Sequence, residues 1–249
     1  PVPRVSSVVL TATIIALTAI PALADQQYSV TGIDTFAVGK QPVAMVAYTG
    51  AERLRIAKLG ERTRFEAEVR YTRSDSDGPA PVHGRFVQEL VSDGTFEDRL
   101  DNDPDFLTIL NQPFAVWLDA PTLRDLRSLH GSIPFQAASP VSSDALVGTL
   151  RRGPIGPIDG ILAVGVRFSA TGSMHGGLPD RPGIEIDGTI RMEGTAYYAM
   201  GSSLLVALDA QLTISGSLHD AKNVTPVRIV YRRTIRAADG VAGWTEARR

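Results

Sequence analysis

The sequence predicts a mostly β protein: a large curved antiparallel sheet, half-barrel-like, with two short covering helices, after an N-terminal signal peptide. Three observations predict it. Period-two alternation of apolar and polar residues recurs over long segments, helical periodicity is confined to two short ones, and Gly and Pro are frequent, at 23 and 16 of 249 residues. Hydrophobic residues make 43% and charged residues 21%, which sets aside wholesale disorder, collagen and coiled coil. The net charge of −2 gives no basic field for nucleic acid. Cysteine is absent, so disulfides, thiol nucleophiles and cysteine metal sites are excluded.

The chain opens with Arg4, the apolar run Val8–Ile20 and then Pro21-Ala22-Leu23-Ala24, the layout of a secretory signal cleaved after Ala24. The expected division is therefore a signal over 1–24, one β-rich domain over 25–237 and a tail over 238–249. Export to the periplasm or the extracellular space follows from the signal, and no membrane span is expected once it is removed. Asp25 to Gln41 reads as a weakly patterned lead-in.

From Thr63 the pattern is sharp. Phe65, Ala67, Val69 and Tyr71 alternate with Arg64, Glu66, Glu68 and Arg70, as a strand with one buried and one wet face requires. Ser74 to Pro79 reads as a polar loop. Segments 85–91 and 95–100 flank Ser92-Asp93-Gly94 and form a hairpin, because Asp-Gly tolerates the positive φ of such turns. Asp103-Pro104-Asp105 supplies a cap, a first-turn proline and a first-turn acid, so 104–110 is the first short helix. A short apolar strand follows at 114–118. Pro121 to Leu129 is the second helix, with Leu123, Leu126 and Leu129 on one side.

Beyond Pro140 long strands return. Residues 145–151 lead into a Gly/Pro loop at 153–160, then 161–174. In the next strand Ile184, Ile186, Ile190, Met192, Ala196 and Tyr198 share a face. Gly201-Ser202-Ser203 turns the chain into a strand on which Leu204, Val206, Leu208, Ala210, Leu212, Ile214 and Leu218 share a face. Residues 227–235 form the last strand. Strands well beyond the usual ~5–6 residues must twist and curl, and the two helices are the available cover for the concave face.

This layout over residues 43–237 resembles the half-barrel architecture of the periplasmic lipoprotein carriers and their outer-membrane receptors. The resemblance lies in layout and carries no motif; it implies a covered concave face that binds acyl chains. The expected lining is Leu204, Val206, Leu208 and Leu212 on one strand, Ile186, Ile190 and Met192 on its neighbour, and Phe114, Trp117 and Leu126 from the cover.

Catalytic patterns are incomplete. The histidines at 83, 130, 175 and 219 are almost evenly spaced, but their flanks differ, and three precede Gly as turns at element ends would. His175 and His219 form the best pair. Asp101, Asp103 and Asp105 resemble the start of a calcium loop, yet Phe106 and Gln112 stand where Gly and Glu are needed. No G-x-S-x-G elbow occurs. No catalytic residue, metal or cofactor is assigned. The sequence points to an exported binding or carrier protein for a lipid-like or other hydrophobic ligand, with no nucleic acid and an unknown protein partner. A structural or interaction module of the cell envelope and a hydrolase remain as alternatives.

Overall fold

A computed structural model describes residues 22–90, 96–101, 120–128, 131–138, 145–178, 181–200 and 204–238. Among the described residues eleven strands form one antiparallel sheet. In chain order they are β1 (Ala22–Val38), β2 (Ala44–Leu59), β3 (Arg62–Asp75), β4 (Gly78–Leu90), β5 (Phe96–Asp101), β6 (Ser132–Ala138), β7 (Ala145–Ile158), β8 (Ile161–Leu178), β9 (Arg181–Ala199), β10 (Leu205–His219) and β11 (Val224–Ala237). Among the described residues between β5 and β6 there is one helix, α1 (Ala120–Ser128).

The spatial order is β5-β4-β3-β2-β1-β11-β10-β9-β8-β7-β6. Every neighbouring pair except one is adjacent in sequence among the strands; the exception is β1 with β11, which brings the two ends of the sheet region together at its centre. Among the described residues the sheet is not closed, because β5 and β6 stand at opposite edges. Both edge strands are short, 6 and 7 residues against 13–19 for the others. Short edges offer little template for pairing with another chain.

Long strands form where the period-two pattern persists. In β3 Thr63, Phe65, Ala67, Val69 and Tyr71 are buried while Glu68 and Arg70 are exposed. The same alternation in β8, β9 and β10 places one continuous apolar surface on one side of the sheet, here the inner face, and most charges on the outer face. Gly188 of β9 sits directly opposite Gly216 of β10. The two backbones approach so closely that a Cβ on Gly216 would lie 2.1 Å from the Asp187 carbonyl oxygen.

Several local expectations are corrected. Asp25 to Gln41, read as a lead-in, is most of β1 at the centre of the sheet, because its short alternation Tyr28, Val30, Gly32, Asp34 includes a glycine and an acid that hide the periodicity. The turn after β3 is only Ser76-Asp77. Pro79 and Pro81 lie in β4, beyond the part that pairs with β5, where one side of the strand has no described partner and a missing N–H is tolerated. The Gly/Pro segment at 153–158 continues β7 through a register shift between Arg152 and Ile155, and the turn is Asp159-Gly160 alone. Both of its residues have positive φ, 48° and 82°, the two-residue hairpin geometry that Asp-Gly favours.

The second expected helix is present as α1, starting one residue earlier and ending one earlier, with Leu123 and Leu126 buried in the same core as the sheet. The expected helix at 104–110, the strand at 114–118, the turns at 92–94 and 201–203, and residues 1–21 lie outside the described residues. Among the described residues no helix is long and apolar enough to cross a membrane.

Candidate functional site on the inner face

The inner face has two chemically distinct halves. On β8, β9 and β10 the inward side chains are apolar throughout: Val164, Val166, Phe168 and Ala170, then Ile190, Met192 and Ala196, then Leu208, Leu212 and Ile214, all buried. Cross-strand register sets them in rows, Val166–Ala196–Leu208, Ala170–Met192–Leu212 and, beyond these, Ile190–Ile214. The rows carry the expected lining residues Ile190, Met192, Leu208 and Leu212 together, with Ile186 buried farther along β9. Leu126 is buried on α1.

Leu204 and Val206 fall differently from the alternation. A register shift between Leu205 and Ala207 breaks period two, so Leu205, Val206, Ala207 and Leu208 are all buried in succession, and Leu204 precedes the strand. Phe114 and Trp117 lie outside the described residues.

The other half of the face, on β1, β2, β3 and β11, holds a buried polar cluster that the apolar periodicity does not reveal. Asp34 and Arg233 are both almost fully buried and form a two-point ion pair, Nη1 to Oδ1 and Nη2 to Oδ2, the latter at 3.1 Å. The Arg233 guanidinium lies 4.9 Å from the centre of the Tyr48 ring, a cation–π contact, and Tyr48 hydrogen-bonds to Asp34. The stem of Arg233 folds over Gly32, whose Cβ, if present, would meet Arg233 Cδ at 2.7 Å. Burial opposes the Arg233 charge, but hydrogen bonds and attraction from Asp34 outweigh it and hold the guanidinium above its usual range. One signal for this pair was available: Asp34 and Arg233 each occupy an inward position in an otherwise apolar alternation.

Glu52 is also buried, at 2% exposure, between Tyr28 of β1 and Val69 of β3. The Tyr71 hydroxyl lies 3.5 Å from Glu52 Oε2. Burial pushes the Glu52 carboxyl up to about 8, against a smaller lowering by Tyr71, so it is largely protonated at neutral pH. Burial, and then the nearby Glu52, drive the Tyr28 phenol well above its ordinary range.

The outer face presents ordinary wet chemistry. A shallow recess of about 220 Å³ is lined by Arg53, Arg55, Glu66, Ala67, Glu68 and Arg85. Its acids are paired, Glu66 with Arg64 at 2.9 Å and Glu68 with Arg70 at 2.9 Å. Exposed pairs of this type contribute little stability.

The histidines do not converge. His83 and His175 are inside β4 and β8 rather than at turns, opposite Arg70 and Asp187 respectively. His175 Nδ1 is 2.8 Å from Asp187 Oδ1, both exposed. His219, on β10 and two strands from β8, faces Glu185 of β9. His130 lies outside the described residues, as do Asp103 and Asp105. Among the described residues no group of three or more His, Asp or Glu is arranged to hold a metal ion.

No family model matches the sequence, and no curated protein matches it. A solved structure described as "lipid-protein interactions in lipovitellin" is similar over 87% of this chain at 11% identity, with a TM-score of 0.43. The chain spans 25% of the length of that one. A likeness at that score carries no weight for fold or function, so the functional reading rests on the residues themselves.

Proposed function

We propose that the protein is a non-enzymatic, exported carrier whose half-barrel-like sheet holds a lipid-like ligand against its inner face. The observation that supports this reading is the unbroken apolar surface on β8, β9 and β10. Three adjacent strands present no inward polar side chain from Val164 to Ala170, from Ile190 to Ala196 and from Leu208 to Ile214. Among the described residues, the single helix set against the sheet is nine residues long and packs by β7. Apolar area of this extent gains roughly 25 cal/mol per Å² when covered, whether by protein or by acyl chain. The buried ion pair and Glu52 fit the same reading as the fixed, polar floor of the opposite half, which confines acyl contact to β8–β10.

Native mass spectrometry of protein purified from its own envelope, together with titration by a fluorescent fatty acid, tests the proposal. Co-purifying lipid and saturable uptake are expected. Met192→Asp should reduce uptake by about tenfold or more, since a carboxylate without a partner is costly against an acyl chain. Protein that carries no lipid and takes up no probe overturns the proposal.

A further inference from the structure

The β7–β8 hairpin runs two residues past the last ladder pair of β8 with β9. Its last cross-strand pairs are Ile155 with Val164, Pro157 with Leu162 and Ile158 with Ile161, whereas β9 pairs with β8 only from Ala163 onward. Beyond that point the described tie to the neighbouring strand is one backbone bond, donated by Met200 N–H to the Leu162 carbonyl at 3.0 Å. At this end Ile161 and Leu162 of β8 are 42% and 54% exposed, and Ile155 of β7, opposite Val164, is 49% exposed. From Gly153 to Val166 the only charged residue is Asp159, in the turn. Ile155 and Leu162 continue the inner-face line of Val164 and Val166, so an apolar surface runs from the buried face out into solvent at the rim.

Behind the tip stands positive charge. Arg151, Arg152 and Arg167 are all exposed. Arg151 and Arg167 are directly opposite each other across β7 and β8, and the flanking residues in that row are Ser132 on β6 and Thr195 on β9. Like charges opposed on a sheet are destabilising unless a counter-charge is supplied. Among the described residues the nearest carboxylates on that face, Glu193 diagonal to Arg167 and Asp209 beyond Thr195, are held by Arg191 at 2.7 Å and Arg236 at 3.0 Å, so the arginine pair is arranged to receive an anion from outside.

The start of the sheet lies at the same rim. β1 begins at Ala22, and the register of β1 with β11, of β11 with β10 and of β9 with β8 places that start at the same end of the sheet as the hairpin tip.

We propose that the β7–β8 hairpin is a membrane-docking tip that seats on an anionic lipid surface. Ile155 and Leu162 enter the headgroup–acyl boundary while Arg151 and Arg167 meet phosphates behind them. The dimensions agree. From Ile155 to the turn is three residues, about 10 Å at the rise of a strand, so the inner-face side of the hairpin offers an apolar patch of that length to lie in the interface while Asp159 stays at the headgroup level. Arginine stems are long enough to carry their charge along the strand to the headgroup level. Asp159 limits the depth, since a carboxylate at the apex stays with the headgroups and leaves the Ile155–Leu162 face as the inserting surface. The proposal stands on the rim alone and survives if the inner face is filled by protein.

Because the chain has no cysteine, one placed residue can be labelled cleanly. Leu162→Cys in the full chain, carrying an environment-sensitive fluorophore, is mixed with vesicles of phosphatidylglycerol and phosphatidylcholine in equal parts. The label is expected to shift blue and to be quenched by lipids bearing nitroxides near the headgroup. Partitioning should weaken by roughly fivefold for each arginine removed in Arg151→Gln and Arg167→Gln, and on phosphatidylcholine alone. The same label at Val224→Cys, 65% exposed at the opposite end of the sheet, should remain unshifted. A label at 162 that stays in water while the chain is bound to vesicles would assign binding to the Val8–Ile20 run and overturn the proposal. Equal partitioning of the arginine variants and the unsubstituted chain on anionic vesicles would overturn it as well.

Discussion

Replacing Glu52 by Gln removes an ionisable group from the inside of the sheet without changing its shape, and the structure fixes the sign of the effect. In the fold the carboxyl binds its proton up to about pH 8, because burial penalises the anion and one hydroxyl at 3.5 Å only partly offsets that penalty. In the unfolded chain it ionises near its ordinary value of 4.5. Between those two values the folded state binds more protons, so stability falls as pH rises. Below the lower value both states are protonated and the contribution is complete; above the upper value it is lost. At about 1.4 kcal/mol per pH unit, the window corresponds to a ceiling of roughly 5 kcal/mol. Urea unfolding at intervals across about pH 4 to 9, a range that brackets both values, measures it. Glu52→Gln should nearly match the unsubstituted protein at the acid end and exceed it by several kcal/mol at the alkaline end. The Asp34 carboxyl, which burial also raises against the pull of Arg233, is present in both proteins and cancels in the difference. Parallel pH profiles for the two proteins would show that Glu52 is already ionised in the fold and that burial does not govern its titration.

Three further outcomes are expected. Asp34→Asn leaves the buried Arg233 charge without its counterion and should cost about 3–5 kcal/mol in urea unfolding at neutral pH; a loss below about 1 kcal/mol would mean that water reaches the pair. Gly216→Val places a Cβ 2.1 Å from the Asp187 carbonyl oxygen. It should lower the melting temperature by far more than Gly156→Val, where a Cβ meets nothing within 4 Å; equal melting temperatures would mean that β9 and β10 are not in this register. Phe65→Ala, at a fully buried position of β3, should cost about 3–5 kcal/mol, and a change under about 1 kcal/mol in the same unfolding curves would place Phe65 outside the core.

Most of the strands were legible because their alternation is carried by side chains that have no other role. β3, β9 and β10 are of this kind, and Phe65, Ile190 and Leu212 fall on the buried face where the period puts them. β1 was not legible, since its inward positions 32 and 34 are Gly and Asp, which read as loop residues when taken one at a time. Their meaning is supplied from a distance of 199 residues: Arg233 fills the space above Gly32 and neutralises Asp34. Local pattern cannot report a partner that far along the chain. The Gly/Pro segment at 153–158 was misread for the opposite reason. Its composition is that of a loop, but β8 offers a complete ladder and a register shift absorbs the mismatch. Within the candidate site the apolar half was legible and the polar half was not, for the same reason that β1 was hidden.

The pairing of β1 with β11 poses a problem that no other pair in the sheet shares. Each remaining pair joins strands consecutive in sequence, and in the short hairpins the turn sets the register. β1 and β11 are joined by no turn. A slip of one residue there would turn Arg232 and Arg236 inward and is excluded by the hydrophobic pattern. A slip of two residues keeps every side chain on its proper face, so hydrophobicity does not forbid it. What it would do is take Arg233 off Gly32: opposite Val30 it stands farther from Asp34, and opposite Asp34 its stem loses the space that Gly32 leaves for it, so neither slip keeps the present two-point arrangement. The buried pair is therefore a register device, and its value lies in rejecting a near-degenerate alternative more than in net stability. The test uses Thr31 and Thr234, which are directly opposed on the outer face. With Thr31→Cys and Thr234→Cys in the otherwise cysteine-free chain, oxidation should give one complete disulfide. Adding Asp34→Leu and Arg233→Leu should leave the protein folded by circular dichroism but make that disulfide incomplete, because in slipped molecules position 31 stands opposite position 232 or 236 and the two thiols no longer meet. Equally complete oxidation in both backgrounds would show that something other than the ion pair sets the register.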